Sequence, residues 1–167
     1  TRLEFKKSAS LAVKIVGKLC KRKSRKKSIA FKNGAFMLLA EGDLGTTEQM
    51  VSLGERCNVP VSYIDSIRFE LLKDYETGKM WDKYEKQINK LSRRKSNWPK
   101  LIVPVDTLAN VQRNFGNLKK SKALNSKRNK YYSSSKRSKK DIPLEALTLI
   151  SDREISKLER IQSRILK

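Results

Sequence analysis

Apolar residues recur at three- and four-residue steps along most of this chain, the period of helices that bury one face. Leu53 and Cys57 fit one such stripe, and Ile64, Ile67 and Leu71 fit the next. Met80, Trp81, Tyr84, Ile88 and Leu91 form a third, over a stretch expected to be helical with a break near Gly78. Ile155, Leu158, Ile161, Ile165 and Leu166 form a last one, preceded by Ser151 and Glu154 at capping-box spacing. Earlier, Ala35 to Ala40 reads as a helix stopped at Glu41-Gly42-Asp43, with Gly42 near the cap, although Lys32-Asn33-Gly34 also suits a hairpin turn. Thr46 or Thr47 is the expected cap of the following helix. Leu11 to Cys20 suits an amphipathic helix, since Lys14 and Lys18 interrupt it as a secretory core. The run Lys100–Val105 is β-branched and fits one short edge strand, with Pro104 confining it to an edge. Asp106 is then placed to cap a short helix that ends at Gly116.

Charge changes this picture most. Across 167 residues, 39 Lys and Arg face 17 Asp and Glu, a formal charge of +22 that a free globule would resist and a polyanion would relieve. Nucleic acid is the leading partner, and an anionic membrane surface the minor one. The basic residues cluster in two places. Residues 21–28 hold six of them, and residues 119–140 hold ten, with no acid between. The second segment has too little apolar surface to offset its ordering entropy, so it is expected to be flexible until it meets phosphates. The chain then divides into an N-terminal helix and basic arm (1–28), a helical core (29–118), a basic flexible linker (119–140) and a C-terminal amphipathic helix (141–167) that docks on the core, on a second copy or on another protein. The opening Thr1 suits a trimmed or processed product.

Residues 46–72, TTEQMVSLGERCNVPVSYIDSIRFELL, carry the spacing of two helices crossing through a short turn. Gly54 offers a small residue for the crossing, Asn58 tolerates a left-handed backbone in the turn, and Val59 fills the space beneath it. Together with the helix before it, the segment 35–72 resembles the three-helix form of the helix-turn-helix superfamily found in many transcription regulators and recombination proteins. It departs from that pattern at Asn58, where Gly is usual. The resemblance implies a mainly α fold with a small three-helix core, additional helices and basic arms. It also implies that the helix from about Pro60 to Leu72 enters the major groove of DNA. Val61, Ser62, Asp65, Ser66 and Phe69 are the base-reading candidates, Asp65 as an acceptor from cytosine and Val61 against a thymine methyl. Phosphate contacts are expected from Lys21, Arg22, Lys23, Arg25, Lys26, Lys27, Arg68, Lys119, Lys120, Lys127, Arg128, Lys136 and Arg137.

Other chemistries fare poorly. No histidine is present, which removes Ser-His, Cys-His and His-metal arrangements, and the seven glycines are dispersed rather than gathered into a phosphate loop. No enzyme activity, metal or cofactor is expected. Cys20 and Cys57 lie too far apart in sequence for a metal motif and are expected to be reduced, partly buried thiols, which weakly favours an intracellular setting: cytoplasm, nucleoid or nucleus, or an organelle. Two functions fit these features: a sequence-specific duplex-DNA-binding protein acting as transcription regulator, partition or packaging factor, and a structural RNA-binding component of a ribonucleoprotein such as a ribosomal or mitochondrial ribosomal protein. The first takes its support from the helix spacing. The second takes it from the shortage of Arg and Lys on the supposed reading helix.

Overall fold

Helix α2, Arg25–Ala40, shows how the chain packs, because it is built around a close approach. A Cβ at Gly34 would lie 2.5 Å from Ala12 Cβ and 2.7 Å from Met50 Cε, so only glycine lets α1 (Arg2–Lys18) and α3 (Leu44–Arg56) close in on α2 from two sides. The residues that suggested a hairpin turn, Lys32 to Gly34, are therefore mid-helix. Phe31 occupies the next turn of α2 with no exposure, and a Cβ at Gly54 of α3 would lie 2.5 Å from its ring. The small residue expected at a crossing is thus needed, and the crossing it serves is α2 with α3. Asp43 caps α3, not Thr46 or Thr47. Its Oδ1 accepts from Thr46 N at 3.0 Å, while the Thr47 hydroxyl donates back to Asp43 O.

The computed structural model describes residues 2–22 and 25–135, all but the last few in the first of two compact units, Thr1–Tyr132. The C-terminal amphipathic helix predicted at 143–166 lies outside the described residues. Among the described residues there are seven α-helices, one 3-10 turn and no strand: α4 is Val61–Thr77, α5 Trp81–Leu91, α6 Trp98–Asn114 and α7 Leu118–Ser134. One core runs through them, from Val16, Phe31 and Met50 by way of Ile64, Ile67, Leu71, Tyr84, Ile88 and Leu91 to Leu101, Leu108 and Tyr131.

Four helices end alike. After α2, α3, α4 and α6 the chain turns through one residue with positive φ: Gly42, Asn58, Lys79 and Gly116. In each case that residue's N–H, and the one after it, reach back three and five residues: Asn58 N to Glu55 O and Val59 N to Gly54 O, Lys79 N to Glu76 O and Met80 N to Tyr75 O. This satisfies helix-end carbonyls that would otherwise be orphaned. The stops expected at Gly42 and Gly116 are of this kind. Near Gly78 the left-handed residue is Lys79, with φ +54°, and Gly78 itself is not.

Two expectations beyond the core are overturned. Residues 100–105 are the front of α6 and form no strand. Leu101, Val105, Leu108, Ala109 and Gln112 are buried at helical spacing, and Pro99 opens the helix where its missing N–H costs nothing. Pro104 leaves the Lys100 carbonyl without its helix donor, which is tolerated because Lys100 is on the exposed side. The basic segment from 118 is also helical as far as Ser134. Ser121, Leu124, Arg128 and Tyr131 recur at helical spacing and are buried, and neighbouring helices supply what the segment's own composition lacks. Tyr131 stacks on Trp98 at 4.9 Å, Arg128 pairs with Asp106 of α6, and Lys120 pairs with Glu85 of α5 at 2.6 Å. Asp106 is accordingly a mid-helix partner for Arg128 and caps nothing.

Two substitutions test this packing in opposite directions. Gly54→Ala forces a methyl into the Phe31 ring and is expected to destabilise by about 1–3 kcal/mol. Lys79→Gly relieves a left-handed backbone at an exposed position and is expected to stabilise by about 1 kcal/mol. Urea midpoints at constant m-value measure both.

Candidate nucleic-acid interface

The turn between α1 and α2 is pinned to the turn between α3 and α4. Cys20 and Cys57 form a disulfide across these turns, with Cα atoms 4.3 Å apart. This overturns the expectation of free thiols, and the inference from thiols to a reducing compartment loses its premise. The link was illegible in sequence because the cysteines are 37 residues apart and meet only through the packing of α1, α2 and α3. Lys27 completes the junction: its ammonium donates to Cys57 O at 2.5 Å and Cys20 O at 3.1 Å, and the side chain is buried. Lys27 is therefore a structural clasp, with two of its three ammonium hydrogens taken by backbone carbonyls.

Around that clasp lies a cleft of about 640 Å³, lined by Cys20, Lys21, Arg22, Arg25, Lys27, Ser28, Asn58, Pro60 and Tyr63. No acidic residue lines it among the described residues. Two helices begin there: α2 at Arg25 and α4 at Val61, neither with an acid in its first turn and α4 without any side-chain cap. Helix N-termini carry partial positive charge, and cationic first turns are unfavourable there unless an anion joins them. Lys21, Arg22, Arg25 and Lys26 are exposed, with no acidic partner among the described residues. Lys23 lies outside those residues.

Only part of the expected base-reading face of α4 points outward. Val61 and Ser62 are exposed at the cleft's edge. Asp65 is buried, its two carboxylate oxygens taken by Arg94 Nη1 at 2.6 Å and Asn97 Nδ2 at 2.8 Å. Ser66 donates to the Tyr63 carbonyl of its own helix at 2.7 Å, and Phe69 is half-buried beneath Lys100, whose ammonium lies 5.7 Å from the ring centre. Arg68, expected at a phosphate, is 2% exposed and bonded to Glu55 at 2.7 Å and Gln87 at 2.5 Å. The helical period misassigned Asp65 and Arg68 because α4 is contacted on a second side by α5, which widens its buried arc beyond the Ile64–Ile67–Leu71 stripe.

The basic residues of α7 divide likewise. Lys119 is exposed and has no partner among the described residues. Lys120 is held by Glu85, and Arg128 is buried against Asp106. Lys127 donates to Asn89 Oδ1 at 3.0 Å, and burial holds its ammonium below the usual lysine range. Lys136 and Arg137 lie outside the described residues. Sequence reasoning missed a further cationic set: Lys83, Lys86 and Lys90, spaced three and four apart, are exposed on α5, and Arg93 is exposed in the turn that follows it. The signal was the same helical period used for the apolar stripe, applied to the charged residues between.

Replacing Lys27 by Met keeps the length and removes both clasp bonds. Leaving the buried Cys57 carbonyl and the partly buried Cys20 carbonyl without a charged donor is expected to cost about 2–3 kcal/mol, read as a lowered urea midpoint. Comparison of the chain with protein-family models, with curated proteins and with solved structures returns no match in any of the three.

Proposed function

We propose that the protein binds nucleic acid through the cleft between the α1–α2 turn and the start of α4, gripping phosphates and reading little sequence. The observation that carries this reading is the meeting of two acid-free helix N-termini with Lys21, Arg22 and Arg25 in a cleft lined by no carboxylate among the described residues. Backbone N–H groups at helix starts and guanidinium groups are the donors that phosphate oxygens prefer. Duplex DNA is the favoured target. Two features of α3–α4 support the helix-turn-helix reading: Asn58 is left-handed in a short turn, and Val61 and Ser62 are exposed at the leading end of α4. With Asp65, Ser66 and Arg68 engaged inside the protein, specificity rests on those two side chains, and affinity rests on charge.

A second reading, a structural RNA-binding component of a ribonucleoprotein, draws support from that same engagement. A helix with few free base-reading groups suits recognition of backbone shape. No step of either reading uses a catalytic residue, metal or cofactor.

Binding to mixed-sequence duplex DNA and to structured RNA across about 50–200 mM salt tests the proposal. The triple variant Lys21→Gln, Arg22→Gln, Arg25→Gln is expected to flatten the slope of log K against log salt by about two to three units on DNA. An unchanged slope removes the cleft from the function. Preference for RNA over DNA in direct competition, with the same loss in the variant, transfers the cleft to the ribonucleoprotein reading.

A further inference from the structure

A second groove, of about 430 Å³, lies where α3, α4 and α5 meet, and it shares no lining residue with the first. Its walls carry Arg68, Lys83, Lys86, Lys90 and Arg93, with Glu48 the one acid among the lining residues. Glu48 is already committed, accepting from the Tyr75 hydroxyl and pairing with Lys83 at 3.2 Å. Glu55 offsets Arg68 in the same way. That leaves Lys86, Lys90 and Arg93 as exposed cations with no acidic partner among the described residues. Lys127 of α7 reaches the same wall, donating to Asn89, a lining residue, while Lys120 is held at Glu85.

We infer that this side of α5 is a second binding surface for a phosphodiester backbone, with Lys86, Lys90 and Arg93 meeting successive phosphates of one strand. Lys86 to Lys90 spans about 6 Å along α5 at 1.5 Å per residue, and Arg93 follows in the turn after Leu91. About two phosphates of one strand lie within that length of duplex axis, at about 3.4 Å each, and Arg93 is left for the next. The alternative occupant, an acidic protein segment, fits less well. Protein interfaces concentrate their affinity in buried aromatic or aliphatic anchors, and the apolar residue lining this groove, Val51, is itself 3% exposed and belongs to the core. Cations and amides are what the groove offers. The choice of ligand rests on the nucleic-acid reading of the first cleft.

The test is acetylation footprinting of the full chain, free and bound to mixed-sequence duplex DNA, with lysine reactivity read by mass spectrometry. DNA is expected to protect Lys86 and Lys90 several-fold while leaving Lys73, which is exposed and paired with Glu70, as reactive as in the free protein. In parallel, Lys86→Gln, Lys90→Gln, Arg93→Gln is expected to lower the salt slope by about two to three units, with an unchanged urea midpoint. Binding of DNA with Lys86 and Lys90 unprotected and the slope unaltered overturns the inference and leaves the first cleft standing. Protection of these lysines by a strong acidic polypeptide but not by DNA assigns the groove to a protein and overturns it equally. Failure of every form of the protein to bind DNA or RNA fells the nucleic-acid reading itself and this inference with it, a result distinct from either of the others.

Discussion

The carboxylate of Asp65 is the interaction on which the arrangement of the later helices depends. It is buried on α4, and it holds Arg94 and Asn97 from the segment that links α5 to α6. Asn97 passes the tie on to the Leu91 carbonyl at the end of α5, and Trp98, at the start of α6, donates its indole N–H to Ser92 O. A buried carboxylate left unpaired is strongly destabilising, so the bend between α5 and α6 is specified wherever this acid is satisfied. Trp98 then presents its ring to Tyr131, and α7 finds its place. A chain of polar contacts starting at one acid thus leads to the positioning of α7, whose own sequence is too basic to fold alone.

At the other end of the molecule the constraint is steric. Gly34 and Gly54 bring α1, α2 and α3 so close that the α1–α2 turn lies beside the α3–α4 turn, and the Cys20–Cys57 disulfide and Lys27 lock these two turns together. The consequence for function is electrostatic. Arg25 is at the start of α2 and Val61 at the start of α4, so both helix dipoles point their positive ends at one cleft, beside Lys21 and Arg22. The excess of positive charge is therefore organised: some cations are spent on acids of other segments, as Arg68, Arg94 and Arg128 are, and others stand together with no acidic partner among the described residues.

Much of the helical core was legible from residue spacing. The turn at Asn58, the helix ends at Gly42 and Gly116 and the stripe Tyr84–Ile88–Leu91 follow from local rules of backbone conformation and amphipathic period, and they recur in the structure. The readings that failed were those in which a partner distant in sequence changes the outcome. The β-branched residues at 102–105 favour strand in isolation, but packing of Leu101, Val105 and Leu108 into a common core outweighs that preference. The segment after Leu118 looks unable to order itself, and by itself it has little means to. Its acids are Glu85 and Asp106, supplied by other helices.

What the sequence by itself determined is the helical class, the main breaks and the sign and clustering of the charge, because each depends on a few neighbouring residues or on a sum over all of them. Only the tertiary structure decided which charges are free. Asp65, Arg68 and Lys27 look like surface residues by type and period. Each is buried because a group far along the chain satisfies it, and desolvation makes that pairing all or nothing. The same physics runs in reverse at Lys86, Lys90 and Arg93: Glu48 on the groove is consumed by Lys83 and Tyr75, Glu55 is consumed by Arg68, and the cations left with no acidic partner among the described residues are an outcome of the fold.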